Sequence, residues 1–325
     1  MKQGLRIFGM GVFALVALAL AGLAALAIFV QLDGPARWLG WALIAAALLA
    51  IGTARRISRG AGLGALAVAV AIAATLWQTV RPSDARAWAP DVAHGVTAQV
   101  QGDTVTLTNI RDFDWTGPHT ATERWISQSY DLTGLQTLDM LTSTWGDPDI
   151  AHLLVSFGFD DGRHVVFSVE IRREQGESFS ELGGFFRAFE LVLIAATEPD
   201  IVRLRTNARG ERVSLYPIAL TAEQRREMFL SYVALAQELE AAPQFYNTLT
   251  ANCTTTVYGL ARRWQPDLPV DWRLVLSGRL PDYLADLGVL DGPRPTADQP
   301  EPALITPRAR AAPPGADFST VIRTR

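Results

Sequence analysis

Few residues in this chain have the types and spacing that covalent chemistry needs. Its single cysteine, Cys253, lies in YNTLTANCTT (246–255), directly before an apolar-periodic run of Val257, Tyr258, Leu260, Ala261 and Trp264. That pattern predicts a helix from about Cys253 to about Trp264, with the thiol in its first turn. Exposed N–H groups and the positive end of the helix dipole favour a thiolate there and lower a cysteine's pKa. The same N–H groups can help to hold an oxyanion. The competing reading is a small buried hydrophobe that merely packs or caps. Asn252 before the thiol and the three threonines after it are a poor setting for that role.

A thiol nucleophile needs a base. His152 opens the run AHLLVSFGF, in which Leu153, Val155, Phe157 and Phe159 alternate onto one face and His152, Leu154, Ser156 and Gly158 onto the other. The following strand, HVVFSVEI, carries Glu170. Register decides whether the two meet. A two-residue turn at Asp161-Gly162 puts His152 and Glu170 on opposite faces. A three-residue turn, with Gly162 in the left-handed position, pairs Phe159 with Arg163 and sets His152 opposite Glu170. Both turns fit the letters. The second supplies a carboxylate able to orient the imidazole, as a thiol enzyme's triad requires. A lone strand histidine is more often structural. Tyr246, Asn247 and Asn252 are candidates for oxyanion donation or support, although turn and cap roles suit the asparagines equally.

Other chemistries lack their residues. There is no G-x-S-x-G elbow and no phosphate-binding glycine loop, and no lysine follows Lys2. The four histidines lack the spacing of a zinc helix. Asp147/Asp149 and Asp160/Asp161 sit beside Gly or Pro and read as turn formers. No cofactor and no metal is expected. Arg172, Arg173, Arg203 and Arg205 suit a lipid phosphate, or, more commonly, solvent and nearby carboxylates.

The elements that must position these groups read as α+β. Val96–Ile110 alternates around Gly102-Asp103 as a hairpin, and Glu123–Leu132 is a further strand. Leu135–Trp145 is ambiguous between helix and loop. His152–Phe159, Arg163–Ile171, Leu191–Ala196, Ile201–Thr206 and Arg212–Tyr216 are strand candidates forming a roughly antiparallel sheet. Thr221 with Gln224 makes a capping-box pattern that opens a helix to about Ala241. Asp271–Leu290 is helical in pieces.

The 325-residue chain is divided by charge. Residues 1–80 hold only Lys2, Arg6, Asp33, Arg37, Arg55, Arg56 and Arg59 and carry +5, whereas 81–325 carry −9. An acidic domain repels a polyanion, so nucleic acid is not the expected partner. Ile7–Val30, Trp38–Ala54 and Gly60–Val80 are free of charge. They predict three transmembrane helices, since a span needs about 17–25 apolar residues. A cleaved leader would explain the first stretch only. The basic residues before the first span and between the second and third place the N-terminus in the cytoplasm. The C-terminal domain is then periplasmic, on the outer side of an inner, cytoplasmic membrane. One cysteine allows no internal disulfide there.

STWGDPDIAHLLVSFGFDDGRHVVFSVEIRREQGE, followed by YNTLTANCTT, resembles the periplasmic domain family of the Lnb lipoprotein N-acyltransferases, from about Arg111 to Leu290. The order, histidine strand first and cysteine helix later, also resembles circularly permuted papain-like enzymes such as NlpC-type amidases and lecithin–retinol acyltransferases. The resemblance implies a permuted papain-like domain with a catalytic pair at Cys253 and His152 and, more weakly, Glu170 as third member. Here the spans precede the domain, whereas the resemblance leads us to expect membrane helices after it. The expected organisation is an anchor (1–80), a linker (81–95), a thiol-enzyme-like domain (96–290) and a disordered tail (291–325). The leading expectation is an acyltransferase or acyl hydrolase working through a thioester on phospholipid or lipoprotein acyl groups. The alternatives are a cysteine amidase or peptidase on cell-wall peptides, and a non-catalytic interaction domain.

Overall fold

The computed structural model describes residues 2–290 and 303–324. They fall into two units, Met1–Ser83 with Ser180–Ala188, and Asp84–Phe179 with Phe189–Arg325. In the first unit, α1 (Lys2–Gln31), α2 (Gly34–Ile57) and α3 (Arg59–Trp77) are the expected apolar helices. All three are long and apolar enough to cross a membrane. Pro35 and the Ser58 cap, whose hydroxyl accepts from Ala61 N–H, start the second and third. A Cβ on Gly62 would lie 2.9 Å from the Arg55 Cα, so only glycine lets α2 and α3 approach there. The Trp41 indole donates to the Ala25 carbonyl and ties α2 to α1. Ser180–Ala188, with the short α4 (Glu181–Phe185), completes this unit. Arg187 donates to the carbonyls of Trp77 and Val80 and lies over the Trp77 ring.

The second unit is built on β1 (Thr97–Gln101), β2 (Thr104–Arg111), β3 (Asp114–Gly117), β4 (Thr120–Thr122), β5 (Trp125–Asp131), β6 (Leu135–Thr144), β7 (Ala151–Phe159), β8 (His164–Arg172), β9 (Glu190–Ala196) and β10 (Arg212–Pro217). Its main sheet runs β1-β2-β9-β8-β7-β6-β10, with β5 also on β2, and β3–β4 form a separate hairpin. Every pairing is antiparallel except β2 with β9. The helices are α5 (Glu198–Arg203), α6 (Ala222–Ala241), α7 (Cys253–Arg262), α8 (Leu280–Asp286), α9 (Thr306–Ala311) and α10 (Phe318–Arg323).

Strand alternation sorts the core into two layers. Val155, Phe157, Phe167 and Leu193 face Phe229, Tyr232 and Val233 of α6 and Leu260 of α7. Leu154, Val166 and Ile194 face α5, α9 and α10 through Ile201, Ala309 and Ile322. Both faces of the central strands are therefore covered, and β9 is buried along its whole length.

Four expectations need correction. Leu135–Trp145 is strand β6, held between β7 and β10; its mid-strand Asp139 obscures the pattern because its partner, Arg323, is distant in sequence. Ile201–Thr206 is not a strand. Thr197 caps Asp200 N–H and Pro199 sits in the first turn, so the chain turns helical as α5 and continues into a π turn, Leu204–Ala208. The linker 81–95 is folded from Asp84 onward: Trp88, Ala89 and Val92 are buried, and Asp91 pairs with Arg173. The tail is ordered over 303–324, whereas 291–302 lies outside the described residues. Composition misled here, because the Pro- and Arg-rich segment contributes few but fully buried side chains, Ile305 and Ile322 among them.

Arg323 explains why the tail is needed. It donates to Asp139 and to Glu198, both almost wholly buried. Burial would raise Glu198, but the hydrogen bonds and charge of Arg323 hold it down to about 2. A carboxyl depressed in this way contributes stability above its unfolded pKa, which is lost as pH falls toward 2. Arg323→Met should cost about 3–5 kcal/mol at pH 7, because two buried carboxylates lose their cation. Denaturant unfolding followed by tryptophan fluorescence should show this deficit, and should show it shrinking toward pH 4 as the stranded carboxyls protonate. A deficit under 1 kcal/mol would remove the tail from the structural account.

Candidate functional site

The turn between β7 and β8 fixes the site. Phe159 N–H donates to the Arg163 carbonyl, Gly162 N–H donates back to Phe159, and Gly162 has φ +82°. This is the three-residue alternative, and it sets Leu154 opposite Ser168. Continuing that register brings His152 across from Glu170. The backbone ladder itself stops at Leu154–Ser168, although β6 stays paired with β7 down to Ala151. The sheet therefore opens between β7 and β8 at this end. The Leu153 N–H, released from the ladder, donates to the sulfur of Cys253 at the start of α7.

The side chains complete the arrangement. His152 Nε2 lies 2.7 Å from Ser168 Oγ and 3.1 Å from Glu170 Oε1. Ser168 donates its own proton to Glu170 Oε1 at 2.7 Å. Nε2 is thus a donor toward Ser168 and Glu170, and the ring is also hydrogen-bonded to Cys253. Behind Glu170 stands Arg205, 3.1 Å away and itself paired with Glu211. Glu211 also accepts from Ser143, the residue beside His152 on β6. Arg205 lies in the π turn after α5, a local widening common at functional sites.

Each charge has a physical cause. Burial works against a charged imidazole, yet the Glu170 carboxylate outweighs it and His152 is pushed up to about 9. Burial would raise the Cys253 thiol, but the hydrogen bond and charge of His152 bring it below its ordinary value. Burial would likewise raise Glu170; His152, Arg205 and Ser168 together hold it well below the usual carboxylate range. Glu170 thus favours the charged form of the His152 ring, and His152 that of the Cys253 thiol.

Asn252 is the N-cap of α7. Its Oδ1 accepts from Thr254 and Thr255 N–H, and Thr255 closes a capping box. Asn252 is therefore spent on the helix rather than on an oxyanion, and two first-turn N–H groups are taken with it. The Cys253 N–H remains. Asn247 Oδ1 holds the turn before the helix through Leu249 and Thr250 N–H. Tyr246 is half-buried against the core, its N–H on Phe189. Arg172 and Arg173 pair with Asp84 and Asp91, and Arg203 lies over Phe318. Among the four arginines only Arg205 belongs to the site.

Two neighbours are not singled out by the sequence. Ser168 shares a face with Glu170, two positions away, and strand alternation could have found it. Tyr232 of α6 is fully buried, and its hydroxyl has no hydrogen-bond partner among the described residues. Burial, and then the charge of Cys253, push its pKa above the usual tyrosine range. Nothing in the sequence separates it from an ordinary core aromatic.

Beside the thiol lies an apolar cavity of about 320 Å³. Leu153 and Thr254 line it next to the sulfur, and Met140, Ala261, Trp264 and Leu284 line it farther in.

Removing the Glu170 charge has a defined sign. In Glu170→Gln the His152 pKa falls, the thiolate loses its imidazolium and the Cys253 pKa rises. Alkylation of Cys253 by iodoacetamide at pH 7 should therefore slow by roughly tenfold or more, in step with the lost thiolate fraction. The pH–rate profile of alkylation in the full chain measures it, and a profile matching the wild type would sever Glu170 from the thiol.

The profile of the Lnb N-terminal periplasmic domain family matches residues 121–278. No curated protein and no solved structure matches the chain. The matched stretch contains Cys253, His152, Glu170 and Arg205 together, and this segment is similar to the Lnb N-terminal periplasmic domain family, carried here after three helices long and apolar enough to cross a membrane.

Proposed function

We propose that the protein is a membrane-anchored thiol acyltransferase or acyl hydrolase acting on lipid-borne acyl groups. One observation carries this reading: Leu153 and Thr254, the chain neighbours of His152 and Cys253, line a cavity of about 320 Å³ whose lining is almost wholly apolar. That volume is within the roughly 300–1,000 Å³ of ligand pockets. An apolar lining suits a hydrocarbon chain, and offers little to a charged cell-wall peptide.

The chemistry follows from the array. The Cys253 thiolate attacks the acyl carbonyl carbon, and the electron pair of the C=O bond moves to oxygen. The Cys253 N–H, in the first turn of α7, is available to that oxyanion. As the tetrahedral species collapses, the bond to the leaving alkoxide breaks and His152 gives it a proton. A thioester and a free alcohol result. An amine or water then attacks the thioester, His152 takes its proton, and the C–S bond breaks to regenerate the thiolate. Glu170 keeps the ring oriented throughout. Charge asymmetry supports an orientation with the N-terminus in the cytoplasm and the domain outside an inner membrane.

Full-length protein in phospholipid vesicles should acquire a hydroxylamine-labile acyl adduct, visible by intact mass. Cys253→Ser should lose the thioester, and His152→Asn should lower the acylation rate by about 10²–10⁴, as expected for a general acid–base. Adduct formation from muropeptides but not from vesicles would overturn the acyl reading. Ala261→Trp, which fills the cavity, should slow transfer of long chains while sparing short ones; equal losses for both would separate the cavity from the chain.

A further inference from the structure

The domain exposes eight large apolar side chains among its described residues, and they are not scattered. Six of them stand at one end of the main sheet, Trp145, Ile150, Phe179, Leu249 and Val275 on loops and Trp272 on a single 3-10 turn, Trp272–Leu274. Strand register defines that end. There β6 finishes at Thr144, β7 begins at Ala151, β8 finishes at Arg172 and β9 begins at Glu190. Trp145 and Ile150 bracket the β6–β7 turn. Gly278 N–H donates to Asp149 and Ser277 bonds both backbone groups of Ala151, which fixes the Trp272–Val275 segment beside that turn. Leu249 lies in the loop leading to Cys253, next to the Phe245–Glu190 bridge. Phe179 follows β8 and stacks on Phe189.

The same end receives every covalent link to the membrane-crossing helices. The chain enters the domain at Asp84, whose carboxylate is 2.7 Å from Arg172 Nη1. It leaves again after Phe179 and returns at Phe189. Only Gln78–Ser83 separates α3 from the domain, a reach of at most about 20 Å fully extended. That short tether joins this end of the sheet to the end of α3. His152, second in β7, and Cys253, first in α7, lie at this end of the sheet too. Trp272 and Val275 flank Leu274, which lines the apolar cavity.

We infer that this end of the sheet is a lipid-docking surface, with the six exposed side chains seated in the outer interfacial layer of the bilayer and the cavity opening toward it. Exposed apolar clusters mark interaction sites. Indole rings favour the level of lipid headgroups, and two of the six are tryptophans. The inference concerns where the domain rests and does not depend on thioester chemistry.

The test uses the full chain with Cys253→Ser, in phosphatidylcholine–phosphatidylglycerol vesicles, carrying one nitroxide at a time. Labels go on Trp145→Cys, Trp272→Cys and, as reference, Val100→Cys. Val100 precedes the turn at Asp103, which is tied through Leu132 and Gly134 to Asp160 at the opposite end of β7. Collision with oxygen, which concentrates in lipid, is compared with collision with a water-soluble nickel chelate. The oxygen-to-nickel ratio should be severalfold higher at 145 and 272 than at 100. Ratios equal to that at Val100 would put the patch in water and overturn the proposal. Labels immobilised and reached by neither reagent would mean that protein covers the patch, and would overturn it equally. Since no turnover is measured, failure of the acyl reading leaves this readout intact, and the converse also holds.

Discussion

The site depends on a single extra residue. With Asp160, Asp161 and Gly162 between Phe159 and Arg163, the pleats of β7 and β8 are in phase and His152 and Glu170 share a face. A two-residue turn would shift the pairing by one, and a slip of one in a strand of period two moves every side chain to the other face. Either Phe157 or Phe167 would then leave the α6 layer, and His152 and Glu170 would part onto opposite faces. The aromatic core and the site thus enforce the same register, and neither can be lost alone. Gly162 is required because the turn places it at φ +82°, a conformation with little cost only for glycine.

Register brings the groups together, and pairing of opposite charges offsets the cost of burying them. Glu170 is a largely desolvated carboxylate, and such a group neutralises itself unless it is paired and hydrogen-bonded. It meets His152 on one side and Arg205 on the other. Arg205 is in turn balanced by Glu211. Along the row Glu211, Arg205, Glu170 and His152, each buried group is paired with one of opposite sign. This row also divides labour within the sheet. The helical face behind β7 and β8 supplies the supporting arginine from the π turn, while α7 brings Cys253 to the gap where those strands part. Histidine bridges the two layers because it stands where the ladder has already stopped.

How much of this is legible in the letters follows the range of each interaction. The α6 capping box, the Gly102 hairpin and the α7 start are set by residues within four positions of one another, and the sequence expectations for them hold. Cys253 and His152 stand out because cysteine and histidine are scarce, and Glu170 because the two possible turns can be enumerated. The ordered tail and Asp139 are not, since Arg323 and Asp139 are 184 positions apart and each alone resembles a surface charge. Ile201–Thr206 fails for a different reason. Its apolar residues suit a strand as well as a short helix, and only the Thr197–Pro199 start decides between them. Arg205 stands among three other arginines that the fold pairs elsewhere, so composition cannot single it out.

A lipid substrate imposes one further physical demand. Removing an acyl chain from a bilayer into water costs about 0.8 kcal/mol per methylene, which for a long chain exceeds what most binding sites recover. The cost vanishes only if the chain passes from one apolar phase directly into another. A cavity walled by Met140, Val155, Leu280 and Leu284 is such a phase, but only if its mouth meets lipid without crossing a layer of water. Three spans and a six-residue connection limit how far the domain can stand from the membrane, though they do not by themselves orient it. Orientation requires a surface that prefers lipid, and the sheet end that gathers the chain's attachments also gathers most of its exposed large apolar side chains. In the proposed function, hydrocarbon taken up at the patch stays out of water in the cavity while its carbonyl reaches the array at Cys253.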